Sequence, residues 1–235
     1  MKKSLPFRFK KFTIYHDRSS MKVGTDAVLL GSWVNVTGAK KILDIGTGSG
    51  VIALMLAQRT ADDVKIDAIE IEKEDAAQAR ENIFNSSWPN KVTVFEKSLQ
   101  EFKPGVQYDL IVSNPPFFIN SLLPPTPHRT RTRHTKQLTF NELVLHAMRL
   151  INPSGTLAVV LPVQEGNEFR QLAFKNGLYI NRQLAFYSRM GKPQERWLFE
   201  FRFTPGMAKE EKLVLYEEEN LKSIGYTNLT KDFYL

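Results

Sequence analysis

The hydrophobic pattern of the chain alternates between short apolar runs and longer segments in which apolar residues recur every three or four positions. The runs KKILDIG, VKIDAIEI, KVTVFEKS and YDLIVS are typical of strands. The segments VIALMLAQ and EKEDAAQARENIF, which follow the first two runs, are typical of helices. Strands that alternate with helices predict a mostly parallel sheet with helices on both faces.

The second half of the chain extends this sheet. LTFNELVLHAMRLINPSG predicts an amphipathic helix, in which His146 is a core histidine rather than a ligand, and TLAVVLPV predicts a fifth buried strand. After the helix EGNEFRQLAFKNG, the strands LYINRQLAFYS and ERWLFEFRF follow each other without a helix, so they must form a hairpin. We therefore expect an α/β fold with seven strands, one of them antiparallel.

Both ends of the chain carry aromatic residues. FRFKKFTIY predicts a strand or hairpin, whose mixture of cations and phenylalanines fits a nucleic-acid contact and an edge strand protected by lysine equally well. MKVGTDAVLLGSWV predicts a short helix capped by Thr25 or Asp26. The acidic run that begins at Glu217 indicates solvated surface, and YTNLTKDFYL is aromatic enough to pack back onto the domain.

Composition narrows the function classes. A chain of 235 residues without a linker predicts one domain, 1–235, and the absence of cysteine excludes disulfides and thiolate sites. The N-terminus lacks the apolar stretch of a signal peptide, and no run is long enough to span a membrane, which fits the cytoplasm. No metal-ligand cluster occurs. The net charge of +7 favours a polyanionic partner, with nucleic acid first.

A glycine-rich turn joins the first strand to its helix. Asp44 ends the strand, and Gly46, Gly48 and Gly50 alternate with small polar residues before the helix begins at Val51. Glycines permit close approach of a ligand, and the helix N-terminus offers free N–H groups. The spacing departs from the dinucleotide fingerprint G-x-G-x-x-G. A carboxylate before the turn repels a pyrophosphate and suits an ammonium group, so S-adenosylmethionine is favoured over NAD.

An acidic residue also ends the second strand. Glu70 lies twenty residues after Gly50, a spacing at which a carboxylate can accept hydrogen bonds from both ribose hydroxyls. Asp67, Glu72 and Glu74 compete for this role, but Asp67 points to the other face of the strand and Glu72 begins the next helix. The terminal position favours Glu70.

The third and fourth strands end in further candidate residues. Ser98 and Leu99 lie where an adenine could be bound, and a helix cap is an equally good interpretation of Ser98. Asn114-Pro115-Pro116-Phe117 follows YDLIVS, at the sheet edge where ligands of α/β proteins bind.

The tetrad has a chemical use. The side-chain oxygen of Asn114 and the carbonyl of Pro115 can each accept one N–H of an exocyclic amine or amide, which directs the nitrogen lone pair at one electrophile. The prolines hold the corner rigid, and Phe117 offers a face on which a base can stack. The alternative is that the tetrad is an ordinary loop after the strand, in which the prolines only end the strand.

A long irregular segment follows the tetrad. Residues 118–137, which we name the basic flap, carry no acidic residue, and Arg129, Arg131 and Arg133 share one side of an extended chain, with His134 beside them. Such a flap suits phosphate contacts, and a merely solvated loop is the alternative.

The order of these motifs resembles the class I S-adenosylmethionine-dependent amino-methyltransferases, whose Rossmann-like fold the resemblance implies. MKVGTDAVLLGSW, the TPHR and RHT pieces of the basic flap, LPVQEGNEF and LTKDFYL are similar to the bacterial N6-adenine methyltransferases of adenosine 37 in a valine tRNA. The resemblance implies that residues 1–36 form an N-terminal extension, and that the methionine end of the cofactor lies beside three residues of this extension. It also implies that residues of the motifs described above bind the amino-acid group, the ribose and the adenine of the cofactor. These are Lys22, Thr25 and Asp26 at the methionine end, Asp44, Gly46 and Gly48 at the amino-acid group, Glu70 at the ribose, and Ser98 and Leu99 at the adenine.

Two positions depart from the family pattern. Ser98 replaces a frequent aspartate and Phe117 replaces a common tyrosine, which keeps the stacking surface and loses a hydroxyl. Two other methyltransferase activities share the tetrad, one on release-factor glutamine and one on the exocyclic amine of an rRNA guanine. An RNA-binding protein that keeps the cofactor fold without turnover is a third alternative, against which the intact tetrad argues.

Overall fold

The structure is a computed structural model that describes residues 5–19, 21–116, 138–218 and 221–234. Within these residues the helices are α1 (Thr25–Trp33), α2 (Val51–Arg59), α3 (Lys73–Phe84), α4 (Phe140–Leu150), α5 (Val163–Lys175) and α6 (Ile224–Thr230). The strands are β1 (Phe7–Arg8), β2 (Thr13–Ile14), β3 (Lys41–Ile45), β4 (Lys65–Glu70), β5 (Val92–Glu96), β6 (Tyr108–Ser113), β7 (Ile151–Pro162), β8 (Tyr179–Arg189), β9 (Gln194–Arg202), β10 (Lys209–Glu218) and β11 (Leu221–Lys222).

The main sheet has the strand order β11-β10-β8-β9-β7-β6-β3-β4-β5. Strands β3 to β7 pair in parallel, and β9 is antiparallel to both β7 and β8. The α/β class and the closing hairpin are thus confirmed. The predicted number of seven strands is wrong, because the described part of this sheet has nine.

The two additional strands are β10 and β11. They come from a segment whose many charged residues obscured the sequence pattern of a strand. In β10, Leu213 is 7% exposed and packs in the core, while the last two residues, Glu217 and Glu218, are exposed. The acidic side chains therefore lie in solvent as predicted, on a strand that pairs in parallel with β8.

Helices cover both faces of the central strands, and this explains the continuous apolar runs in the sequence. Neighbouring residues of β3 point to opposite cores: Ile42 packs on the side of α1 and α2, and Leu43 on the side of α4 and α5. Both side chains have no exposed surface. A strand that is buried on both faces carries apolar residues at consecutive positions, whereas a strand with one face in solvent alternates apolar and polar residues.

The N-terminal hairpin of β1 and β2 is confirmed, and it packs against the C-terminal segment. Phe9 and Phe12 stack at 4.5 Å and are both buried. The backbone N–H of Lys10 donates to the carbonyl of Phe233 over 2.8 Å, and Phe233 is 2% exposed. Phe9 and Phe12 are therefore core residues and offer no stacking surface to a nucleic acid, while Phe7 is partly buried and packs against the same core.

Helix α1 begins differently from the prediction. Its N-cap is Gly24, and neither Thr25 nor Asp26 caps it through its side chain, so that expectation is wrong. The carboxylate of Asp26 instead accepts a hydrogen bond from Nε of Arg196 over 2.9 Å. Among the described residues, no helix has the length and apolar character that crossing a membrane requires.

Candidate active site

The strand register brings the glycine turn and the tetrad together. In the parallel pair of β3 and β6, Ile45 lies opposite Ser113. The next residues, Gly46 and Asn114, therefore leave neighbouring strands at the same edge of the sheet. The hydroxyl of Ser113 donates to the carbonyl of Ile45 over 2.9 Å and ties the two strand ends together.

The glycine turn leaves space above its backbone. Gly46 and Gly48 have φ angles of +71° and +54°, a region that side chains disfavour. Apart from the glycine itself and its two neighbours in the chain, no described atom lies within 4 Å of the position that a Cβ would take at either residue. The N–H of Gly46 donates to the carbonyl of Ile69 over 2.9 Å, which fixes the start of the turn. A ligand can thus approach this backbone closely.

Gly50 serves a different purpose in the same turn. It is the N-cap of α2 with a φ of +85°, and a Cβ there would lie 3.4 Å from the Cβ of Ala79 in α3. This glycine therefore permits the turn and the close packing of two helices, while the space for a ligand lies over Gly46 and Gly48.

Asp44 is a buried carboxylate with an unused acceptor. The residue has no exposed surface, and its Oδ2 accepts a hydrogen bond from the hydroxyl of Thr47 over 2.6 Å. Its Oδ1 has no hydrogen-bond partner among the described residues. Burial raises the pKa of Asp44 to about 7, and repulsion from Glu70 acts in the same direction. A ligand that brings a positive charge or an N–H group would stabilise the ionised form.

Glu70 is 8% exposed, and it is the acid that faces the glycine turn. Its Oε2 accepts from the N–H of Gly48 over 2.9 Å, and its Oε1 accepts from those of Ile71 and Glu72 over 2.8 and 3.0 Å. Burial raises the pKa of Glu70. Because a carboxylate has about four acceptor sites, Oε2 keeps capacity for a ligand hydroxyl.

The competing acids are engaged elsewhere or open to solvent. Asp67 accepts from the hydroxyl of Tyr108 over 2.6 Å, and Glu72 and Glu74 are exposed. The geometry thus favours Glu70, as its position at the strand end suggested.

Asn114 presents the most unusual polar atom of the tetrad. Its side chain is partly buried, and its Oδ1 has no hydrogen-bond partner in the described part of the chain. Since an unpaired buried acceptor is unfavourable, this oxygen is available for an incoming N–H donor. Pro115 is buried and Pro116 is exposed. Phe117 and the basic flap, with Arg129, Arg131, Arg133 and His134, lie outside the described residues.

The predicted adenine contacts differ in character. The hydroxyl of Ser98 donates to the carboxylate of Glu101 over 3.0 Å and accepts from the Glu101 N–H over 3.3 Å, so it caps the turn that follows β5. Leu99 is 4% exposed and packs in the core with Phe102 and Ile69. Both residues lie at the same sheet edge as Glu70, which is paired with Glu96.

The three residues of the N-terminal extension lie further along the edge. Lys22 and Thr25 are exposed. Asp26 is held by Arg196, which is paired with Pro162 at the end of β7. The ion pair therefore fixes the start of α1 at the carboxyl edge of the sheet, two strands from the glycine turn.

A set of polar residues on α3 was missed by the sequence analysis. Asp75, Gln78 and Asn82 are each at most 4% exposed, and they bind the segment 15–19 by hydrogen bonds. Their spacing of three and four residues places them on one helical face, next to the buried Ala79. Polar residues on the buried face of a helix were the available signal.

Comparison with known proteins identifies the family. The model of the methyltransferase small domain family matches residues 18–177. The chain is 44% identical over 229 residues to the tRNA1(Val) (adenine(37)-N6)-methyltransferase of Tolumonas auensis, covering 97% of this chain and 96% of that protein. It is 42% identical over 232 residues to the protein of the same name from Bacteroides fragilis, covering 97% of each.

Solved structures share the fold at low sequence identity. A predicted O-methyltransferase from Agrobacterium tumefaciens is similar with a TM-score of 0.68 and 19% identity, over 88% of this chain and 96% of that one. The ribosomal protein L11 methylase of Lactobacillus delbrueckii subsp. bulgaricus is similar with a TM-score of 0.54 and 18% identity, over 76% and 77% of the two chains. These likenesses concern the architecture alone.

Proposed function

This chain belongs to the family of tRNA1(Val) (adenine(37)-N6)-methyltransferases, and we propose that it transfers a methyl group from S-adenosyl-L-methionine to the N6 amine of adenosine 37 in the anticodon loop of a valine tRNA. The observation that carries this proposal is the buried, unpartnered Oδ1 of Asn114 beside the open glycine turn. A hydrogen-bond acceptor beside the cofactor turn is what is needed to orient the amine nitrogen toward the methyl group.

The residues present fit the cofactor. When bound, S-adenosylmethionine supplies an electrophilic methyl group on a positively charged sulfur. The free Oδ1 of Asp44 would accept from its ammonium group, and the spare acceptor site of Glu70 would accept from a ribose hydroxyl. Gly46 and Gly48 leave the space that such a ligand needs. Lys22, Thr25, Asp26, Gly50, Ser98 and Leu99 complete the proposed surroundings.

The tetrad would act on the acceptor nitrogen. Asn114 Oδ1 and the Pro115 carbonyl accept the two N–H bonds of the adenine amine, so the lone pair points in one direction. Holding the reacting atoms at about 3–3.5 Å can contribute most of the rate enhancement. The proton leaves after the nitrogen has gained its new bond, so no general base is required before attack.

The tRNA would be held by stacking and by charge. Turning adenosine 37 out of its loop costs a few kcal/mol, less than from a duplex, and stacking on Phe117 returns about 1–3 kcal/mol. The basic flap would contact phosphates through Arg129, Arg131 and Arg133, with His134 beside them. We assign the whole chain, 1–235, to one methyltransferase domain in which residues 1–36 contribute to the cofactor and RNA sites.

The test is methylation of tRNA by the purified protein with labelled S-adenosylmethionine, followed by mass spectrometry of the nucleosides. We expect one N6-methyladenosine in valine tRNA that lacks the modification. The matched control is the same tRNA with guanosine in place of adenosine 37, which should take up no label. Methyl groups found only in a release factor or in rRNA guanine would refute the proposal and assign the site to those substrates.

A further inference from the structure

We propose that Asn82 is a positioning residue for cofactor binding, because its side chain joins the glycine turn to the N-terminal strap, which we define as residues 15–19. This inference rests on the proposed function. Asn82 is 1% exposed and lies in the last two turns of α3. Sequence alone gives it no role, since it belongs to none of the motifs.

The side chain makes three hydrogen bonds to backbone groups of two other segments. Its Nδ2 donates to the carbonyl of Ser49 and to the carbonyl of Tyr15, both over 2.8 Å. Its Oδ1 accepts from the N–H of Tyr15 over 2.9 Å. An amide is the side chain that can both donate twice and accept in this place, because a carboxylate has no donor and an apolar residue has neither.

The bond to Ser49 acts directly on the cofactor turn. Ser49 lies between Gly48 and Gly50, and both glycines have left-handed backbone conformations. Glycines leave a backbone with more accessible conformations than any other residue, so a turn built on them needs external fixation. Asn82 supplies this fixation at the carbonyl between them.

The two bonds to Tyr15 hold the strap along α3. The strap runs antiparallel to the helix, since Asn82 binds Tyr15, Gln78 Oε1 accepts from the N–H of Arg18 over 3.3 Å, and Asp75 accepts from the hydroxyl of Ser19 over 2.5 Å. Because α3 begins just after β4, the strap runs toward the edge that carries Glu70. It thereby leads the chain to Lys22 and Thr25 at the start of α1.

The direct test is the affinity of the purified protein for S-adenosylmethionine, measured by calorimetry without tRNA. Asn82→Asp keeps the shape and the acceptor but loses both donors. We expect its dissociation constant for S-adenosylmethionine to rise about 10-fold or more. At saturating cofactor, kcat should stay within about 3-fold, because the tetrad that aligns the amine is not altered. Amide hydrogen exchange in the strap should become faster.

The matched control is Asn176→Ala. Asn176 also donates from its amide to a backbone carbonyl, that of Leu172 over 2.9 Å, but it ends α5 away from the glycine turn. We expect this variant to lose stability while its affinity for the cofactor stays within about 2-fold. If Asn82→Asp fails to fold, Gln78→Leu loosens the strap without touching Ser49 and should weaken cofactor binding about 3-fold.

An unchanged cofactor affinity in Asn82→Asp, or in Gln78→Leu where only that variant folds, would refute the positioning role. This failure is separate from failure of the proposed function. The wild-type protein either methylates adenosine 37 or does not, whatever the cofactor affinity of these variants.

Discussion

Removing the side chain of Asn114 should separate activity from stability. In the free protein the Oδ1 of Asn114 is buried and has no partner among the described residues. An unsatisfied buried acceptor costs about 1–3 kcal/mol, and the carbon that Asn114→Ala removes contributes about 0.8 kcal/mol by burial. The balance predicts a variant whose free energy of unfolding is unchanged or higher by up to about 2 kcal/mol.

The effect on the reaction should have the opposite sign. Loss of one fixed hydrogen bond to the reacting group lowers rates by about 10²–10³-fold in comparable sites, which corresponds to about 3–4 kcal/mol. We expect this loss in the rate of a single turnover with valine tRNA at saturating S-adenosylmethionine. The dissociation constant for the cofactor should stay within about 3-fold, because Asp44 and Glu70 are unaltered.

The neighbouring residue provides the control for this experiment. Ser113 is fully buried, and its hydroxyl donates to the carbonyl of Ile45. Ser113→Ala should lower the free energy of unfolding by about 1 kcal/mol while the single-turnover rate stays within about 3-fold. A single-turnover rate for Asn114→Ala within about 10-fold of the wild type would refute the assignment of Asn114 to amine alignment.

Three further predictions concern the cofactor turn and the basic flap. Because burial raises the pKa of Asp44 from 3.8 to about 7, the protonated carboxyl group stabilises the fold fully below about pH 4, and this stabilisation is lost as the pH rises through about 7. Thermal melts at several pH values should show this loss of stability, and Asp44→Asn should make the stability less dependent on pH. Gly46→Ala and Gly105→Ala have the same φ of +71° and the same open space, so both should lose about 1 kcal/mol of stability, whereas calorimetry should find cofactor binding weakened only in Gly46→Ala. Replacing the three arginines of the basic flap by alanine should weaken tRNA binding and reduce the salt dependence by about 0.7 per lost phosphate contact in a single-stranded loop, as filter binding at several salt concentrations would show. The first prediction would be contradicted if the melting temperature depended on pH in the same way with and without Asp44. Equal cofactor affinities of the two glycine variants would contradict the second, and an unchanged salt dependence of tRNA binding would contradict the third.

Sequence patterns predicted those candidate site residues that lie at the end of a single strand or directly after it. Asp44, the glycines of the turn and Glu70 were predicted as site residues because each directly ends or follows an apolar run. The preference for Glu70 over Asp67 came from its position at the strand end, and in the structure Asp67 accepts a hydrogen bond from Tyr108.

The extent of the sheet shows where local patterns mislead. β10 contains four acidic residues among its ten, which concealed a strand that buries Leu213 against α6. The basic N-terminal hairpin is the opposite case: an RNA surface was one of the two interpretations of its phenylalanines, but Phe9 packs against Phe233 and Tyr234, and Phe12 packs against Trp88. Which surface covers a side chain depends on a partner distant in the chain.

The sequence by itself determined the α/β class and the residues at the carboxyl ends of the central strands, because strands buried on two faces are continuous apolar runs and parallel strands place their ends at one edge. Only the tertiary structure decided which polar groups meet there. Asp26 and Arg196 are 170 positions apart, and Asn82 is 33 from Ser49 and 67 from Tyr15. Such hydrogen bonds depend on distance and direction between folded segments, and no periodicity along the chain records them.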